Sequence, residues 1–201
     1  MVFMELPVPL HVRLKVVILF WCWVALPGCM YTKTNTGIEE GVCINKSDTA
    51  LRKQGGFLLY NQGKFNGQVI EVSPQGDTLY KCQYVNGKQE GTEILKYPNG
   101  QLAEVRYYKN GYKEGEHKGW YENGAPRFIY NYKNDIYEGN VKDWGTNGQL
   151  YRDFNYKNGQ ESGRQRMWYD DGRIRANYDV KNGRKYGLTG VKNCVNVTED
   201  K

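Results

Sequence analysis

Lys118, Lys142 and Arg166 each stand two residues before a tryptophan, Trp120, Trp144 and Trp168. In an extended strand, side chains two apart point to the same side. The spacing therefore places a column of cations beside a column of indoles, a surface suited to anionic headgroups or glycans through ion pairing, stacking and cation–π contact. The competing reading makes the tryptophans a structural stripe, with basic side chains covering its rim by their aliphatic stems. Catalytic chemistry has far less to work with. The chain has only two histidines, and His117 reads as a solvated side chain on a repeat surface. No cluster of His, Cys, Asp or Glu has metal-ligand spacing. Asp170-Asp171 is explained as turn chemistry before Gly172. The expectation is a protein that is not an enzyme and carries no cofactor and no metal.

The elements that position the Lys–Trp pairs follow from the glycines. Gly67, Gly91, Gly115, Gly139, Gly163 and Gly187 recur every 24 residues. Gly76, Gly100, Gly124, Gly148 and Gly172 keep the same interval. A third series runs Gly63, Gly87, Gly111, Asp135, Gly159 and Gly183, with aspartate as its one exception. Asn-Gly pairs at Asn86, Asn99, Asn110, Asn123, Asn147, Asn158 and Asn182 signal hairpins, because a type I′ turn needs φ > 0 at both central residues. Between the turns polarity alternates with period two: Ile174, Ala176, Tyr178 and Val180 share one phase, Arg173, Arg175, Asn177 and Asp179 the other. The fold class expected is all-β, an elongated open antiparallel β-meander in a single sheet of 24-residue hairpin repeats. Five units and a half unit fill residues 55–187, and residues 188–201 form a C-terminal cap or tail. Tyr84, Tyr108, Tyr132, Tyr156 and Val180 occupy one position of the unit, so their rings should lie side by side across the sheet.

Residues 1–28 read as a signal peptide. His11, Arg13 and Lys15 precede the apolar run Val16–Leu26, too short to span a bilayer as a helix. The run ends in Leu26-Pro27-Gly28-Cys29, which resembles a bacterial lipobox, although Pro27 is atypical there. Cys29 would be the lipid attachment site and the mature N-terminus, residues 29–54 a tether and N-terminal cap, and the location the cell envelope, with a periplasm-facing outer membrane the expected surface. Three further cysteines remain. Cys82 and Cys194 lie over four units apart, roughly 40 Å at ordinary strand spacing, too far for a disulfide. Cys43 precedes the array and could fold back to Cys82; Cys194 could be free, intermolecular or partnered. The formal net charge of +6 is dispersed rather than gathered on one face, which argues against nucleic acid as a partner.

The unit resembles the variant MORN repeat, most closely at Trp120-Tyr121-Glu122-Asn123-Gly124, Trp168-Tyr169-Asp170-Asp171-Gly172 and Tyr156-Lys157-Asn158-Gly159. Bacterial proteins with such repeats are often labelled YwqK-type antitoxin-like. Ser73-Pro74, Gly145-Thr146 and Asn134-Asp135 depart from the pattern. The resemblance implies a single-sheet meander with no catalytic residues and a role in scaffolding, membrane association or dimerisation. The reading preferred is a membrane-anchored lipoprotein acting as a protein-interaction scaffold. An antitoxin-like binder of a toxin and an envelope module for glycan or anionic lipid are the alternatives, and open sheet edges make a homodimer plausible.

Overall fold

The computed structural model describes residues 42–190. The leader, Cys29, the first part of the tether, Cys194 and the end of the tail lie outside the described residues. The strands are β1 (Cys43–Asn45), β2 (Leu51–Gln54), β3 (Phe57–Tyr60), β4 (Gly63–Lys64), β5 (Gly67–Val72), β6 (Thr78–Val85), β7 (Lys88–Lys96), β8 (Leu102–Lys109), β9 (Tyr112–Lys113), β10 (Gly115–Trp120), β11 (Pro126–Lys133), β12 (Ile136–Trp144), β13 (Leu150–Lys157), β14 (Gln160–Glu161), β15 (Gly163–Trp168), β16 (Ile174–Lys181) and β17 (Arg184–Leu188). From β5 to β17 they pair in chain order as antiparallel neighbours, with β9 and β14 as short first segments of the strands continued by β10 and β15. The sheet is open: β1 lies at one edge and β17 at the other. The meander of 24-residue hairpin units is the architecture that forms.

Two departures occur at the N-terminal end. β1 joins the edge parallel to β5, so the sheet is not wholly antiparallel. The half unit does not extend the meander; β2, β3 and β4 form a separate three-stranded sheet. Its Leu58, together with Phe65, packs on Val69, Tyr80, Cys82 and Tyr84. Residues 42–65 thus cover the first unit's apolar face.

The turns are of two kinds, not one. Asn86-Gly87, Asn110-Gly111, Asn158-Gly159 and Asn182-Gly183 have positive φ at both residues, as a type I′ hairpin requires, and Asn134-Asp135 does the same at 49° and 68°. At Asn99-Gly100, Asn123-Gly124 and Asn147-Gly148 only the glycine is left-handed. There Gly100 N–H donates to the Tyr97 carbonyl at 2.9 Å and Tyr97 N–H to the Gln101 carbonyl at 2.8 Å, a type I turn closed by a left-handed glycine. Asn99, Asn123 and Asn147 each accept from the N–H two residues on, at 2.9, 3.0 and 3.0 Å. The same dipeptide is used once for its backbone and once for its side chain.

The buried aromatic residues of the meander share one face, and its aromatic ladder is finer than one ring per unit. Equivalent positions of successive units lie two strands apart, about 10 Å, too far for rings to touch. The strand between must supply a filler. His117 stands between Tyr108 and Tyr132, with ring centroids at 5.7 and 4.8 Å, and Tyr137 between Tyr132 and Tyr156, at 4.9 and 5.0 Å. His117 is accordingly buried, only 2% exposed, and not the solvated side chain its isolation in the sequence suggested.

The Cys43–Cys82 disulfide does not form. Cys43 aligns with Gln68 and so with Gln83, whereas Cys82 aligns with Val69 and Ile44. The two cysteines are two strands apart and, by alternation, on opposite faces. Cys82 carries a free, buried thiol, and Gln89 Nε2 donates to its sulfur at 3.4 Å. Cys43 is disulfide-bonded, but not to Cys82.

Candidate functional site

The three predicted cations fall in one row across the face opposite the buried one, in the order Val105, Lys118, Ile129, Lys142, Asp153, Arg166, Asn177. Ile129 separates the first two and Asp153 the last two, so they do not stack cation on cation. Arg166 pairs with Asp153 at 2.5 Å and Lys118 with Glu116 at 2.6 Å, so much of the row's charge is neutralised locally. The tryptophans are half-buried, and each follows a register shift at Gly119/Trp120, Asp143/Trp144 and Met167/Trp168. The Arg166 guanidinium lies 5.5 Å from the Trp168 ring centre. Trp120 and Trp144 are tied through the backbone: their carbonyls accept the hydroxyls of Tyr97 and Tyr121, one unit earlier, at 3.0 and 2.7 Å. Trp120 and Trp144 are thus joined to the preceding unit through their backbone carbonyls.

A concavity exists on the buried face of the central units. It encloses about 460 Å³, and of the six predicted residues only Trp144 lines it. Its charged groups form a lattice. Glu104 holds Arg106 on one carboxylate oxygen and Arg127 on the other. Arg106 also reaches Glu93 at 3.8 Å, and Glu93 accepts the hydroxyls of Tyr80 at 2.8 Å and Tyr108 at 3.3 Å. Asp143 receives Arg152 Nε and the Tyr130 hydroxyl, both at 2.5 Å. Burial raises the Tyr130 pKa above the usual phenol value, and its hydrogen bond to Asp143 adds to the rise.

The layering of this lattice matters more than its membership. Side-chain exposure is 13% for Glu104 and 6% for Asp143, against 37% for Arg106 and 35% for Arg127. Carboxylates form the floor and guanidinia face outward. Lys113 joins them; among the described residues no carboxylate pairs with its ammonium, which lies 5.0 Å from the Tyr132 ring centre. His117 reports the resulting field. Burial lowers its pKa from the ordinary imidazole value, the Arg106 and Lys113 charges push the same way, and the Nε2 contact to the Tyr107 carbonyl, at 2.8 Å, opposes them. The apolar wall is flat: Phe128 stacks on Tyr130 at 4.5 Å and 18°. Phe128 can lie there because Gly119, its cross-strand neighbour, has no Cβ; one would stand 2.2 Å from the ring.

Sequence reasoning passed over Glu104, Arg106, Arg127, Asp143 and Arg152. A signal was present, since Arg106 stands two residues before Tyr108 and Arg152 two before Phe154. Both are charges on the phase that elsewhere carries apolar residues. It also missed the series Glu90, Glu114 and Glu138. Each accepts the backbone N–H of the next unit's turn residue, Asn110, Asn134 and Asn158, at 2.6, 3.0 and 2.6 Å. Asn66 does the same for Asn86 at 2.7 Å.

Among the described residues no group of three or more His, Cys, Asp or Glu is placed to hold a metal ion. No curated protein matches the chain. Residues 89–110, 113–134 and 137–158 match a family model, that of the MORN repeat variant, and their starts are spaced by the same 24 residues as the hairpin units. The flanking units keep the same strand register. Three consecutive repeats of this chain are variant MORN repeats.

Proposed function

We propose that the protein is a non-enzymatic scaffold that presents its MORN-repeat sheet to a protein partner at the cell envelope, held to the membrane through lipid on Cys29. The observation that carries the interaction role is a pair of exposed apolar side chains at one repeat position of neighbouring units. Tyr112 and Ile136 are equivalent residues of successive units, each 47% exposed. An aromatic and an aliphatic group held side by side on a rigid edge suit the centre of a protein interface. The non-enzymatic reading is supported by the state of the titratable groups. His117 is enclosed by rings and bonded to a carbonyl, and the buried carboxylates are committed to arginines and tyrosines. The anchor rests on the leader and Cys29 alone.

Cross-linking in cells tests the role. A partner captured by the wild-type chain and lost with Tyr112→Ser/Ile136→Ser, at unchanged circular dichroism, supports the scaffold; a capture pattern indifferent to both changes overturns this surface. A captured toxin would favour the antitoxin-like reading. Cys29→Ser should abolish lipid labelling and release the protein from membranes. Continued acylation of that variant would sink the anchor.

A further inference from the structure

We propose that the buried-face pocket, between Arg106, Lys113 and Arg127, binds a carboxylate borne on a ring-shaped body. The site is separate from the exposed edge assigned to protein contact, and it does not depend on the membrane anchor.

Three observations converge. The first is unspent donor capacity. A guanidinium has five N–H donors; Arg127 uses Nη2 toward Glu104, and Arg106 uses Nη2 toward Glu104 and Nη1 toward Glu93. One carboxylate on the floor fixes two guanidinia from below, so their remaining donors are held in place before a ligand arrives. With Lys113, three cations face the cavity. Of the two acids in its lining, Asp143 is already matched by Arg152, and Glu104 is shared.

The second is the wall. Phe128 is buried behind the cavity and stacked on Tyr130, while the half-buried Tyr130 and Tyr151, the latter 37% exposed, offer ring surface to it. A bare inorganic anion would leave these rings uncovered, while a ring carrying the acid would use both features. The volume is that of small-molecule sites.

The third is that the cluster is not repeated. One unit on, the positions of Arg106, Lys113 and Arg127 hold Tyr130, Tyr137 and Tyr151. The array departs from its own pattern to bring three cations together once. A cationic row belonging to the repeat itself would recur.

The test is calorimetric titration of the purified protein at low salt with glucuronate, benzoate, glucose and inorganic phosphate. Saturable binding of glucuronate or benzoate with one site per chain is expected, and the stronger of the two assigns a hydroxylated or an apolar ring. Glucose should not bind, and phosphate should bind about ten-fold more weakly than the preferred acid. Arg127→Gln should weaken binding about ten-fold or more with circular dichroism and urea midpoint retained. Should Arg127→Gln unfold, Lys113→Gln, which removes a cation without orphaning a carboxylate, should give a smaller loss of the same sign. Lys142→Gln on the opposite face should leave affinity unchanged. The proposal is overturned if neither acid binds, if glucose or phosphate binds as tightly as the acids, or if Lys142→Gln abolishes binding that Arg127→Gln leaves intact.

Discussion

The two ends of the sheet are made from the same 24-residue unit and differ in what lies beyond them. At the N-terminal end β1 pairs along the edge and the β2–β4 sheet adds Leu58 and Phe65, so that Val69 and Cys82 are 4% and 1% exposed. At the other end Ala176, Tyr178 and Val180 form a small cluster with Met167, and all five residues of β17 are exposed. Each unit offers one apolar face; how well that face is covered depends on its neighbours. Stability in such an array is a sum of unit and interface contributions, so it should decline toward the C-terminus.

Removing the cover tests this most severely. Phe65→Ala, at a side chain 3% exposed, should destabilise by about 3–5 kcal/mol in urea unfolding. Hydrogen exchange should accelerate in β2–β6 and leave β11–β13 protected; equal loss at both ends would mean a single cooperative block instead of a gradient. A smaller effect is expected from Glu138→Gln, which weakens the 2.6 Å acceptor for Asn158 N–H. About 1 kcal/mol should be lost, read as faster exchange of that amide. The third test uses pH. The His117 pKa is lowered in the folded state, so between the unfolded value near 6.5 and the folded value the unfolded chain binds more protons. Stability should therefore fall as pH drops through about 6.5 and flatten below the folded pKa. His117→Gln should remove that slope from urea midpoints recorded between about pH 5 and 8. The smallest effect sharpens the contrast from the weak end. Ser162 occupies the position held by Glu90, Glu114 and Glu138 in earlier units. Ser162→Glu should add an acceptor for Asn182 N–H and stabilise the last hairpin by about 0.5 kcal/mol.

The meander was legible because its punctuation is chemical: Asn and Gly recur where the backbone must turn, and period-two alternation separates the faces. The alternation also contained an unused warning about the cysteines, since Cys82 shares the phase of Tyr80 and Tyr84 and is therefore inward. What placed Cys43 on the other face was β1, a parallel strand outside the repeat whose position no periodicity encodes. The two turn types were hidden because one dipeptide serves both. The ring ladder was misjudged by counting units where strands are the relevant step, which left His117 and Tyr137 without a role. The pocket was least legible. Its charged members sit at positions that vary between units, and a motif built from what recurs discards them.

The link from each glutamate to the next unit's turn has a consequence for length. Asn110, Asn134 and Asn158 are grasped by the same kind of atom in the same place, so three successive joints are alike. Units bearing that glutamate can then be duplicated or deleted in one 24-residue step without redesigning a joint. Each step changes the span by two strands, about 10 Å. The gene that encodes such a chain holds a measuring rod with fixed graduations, and selection can adjust its reach by copying.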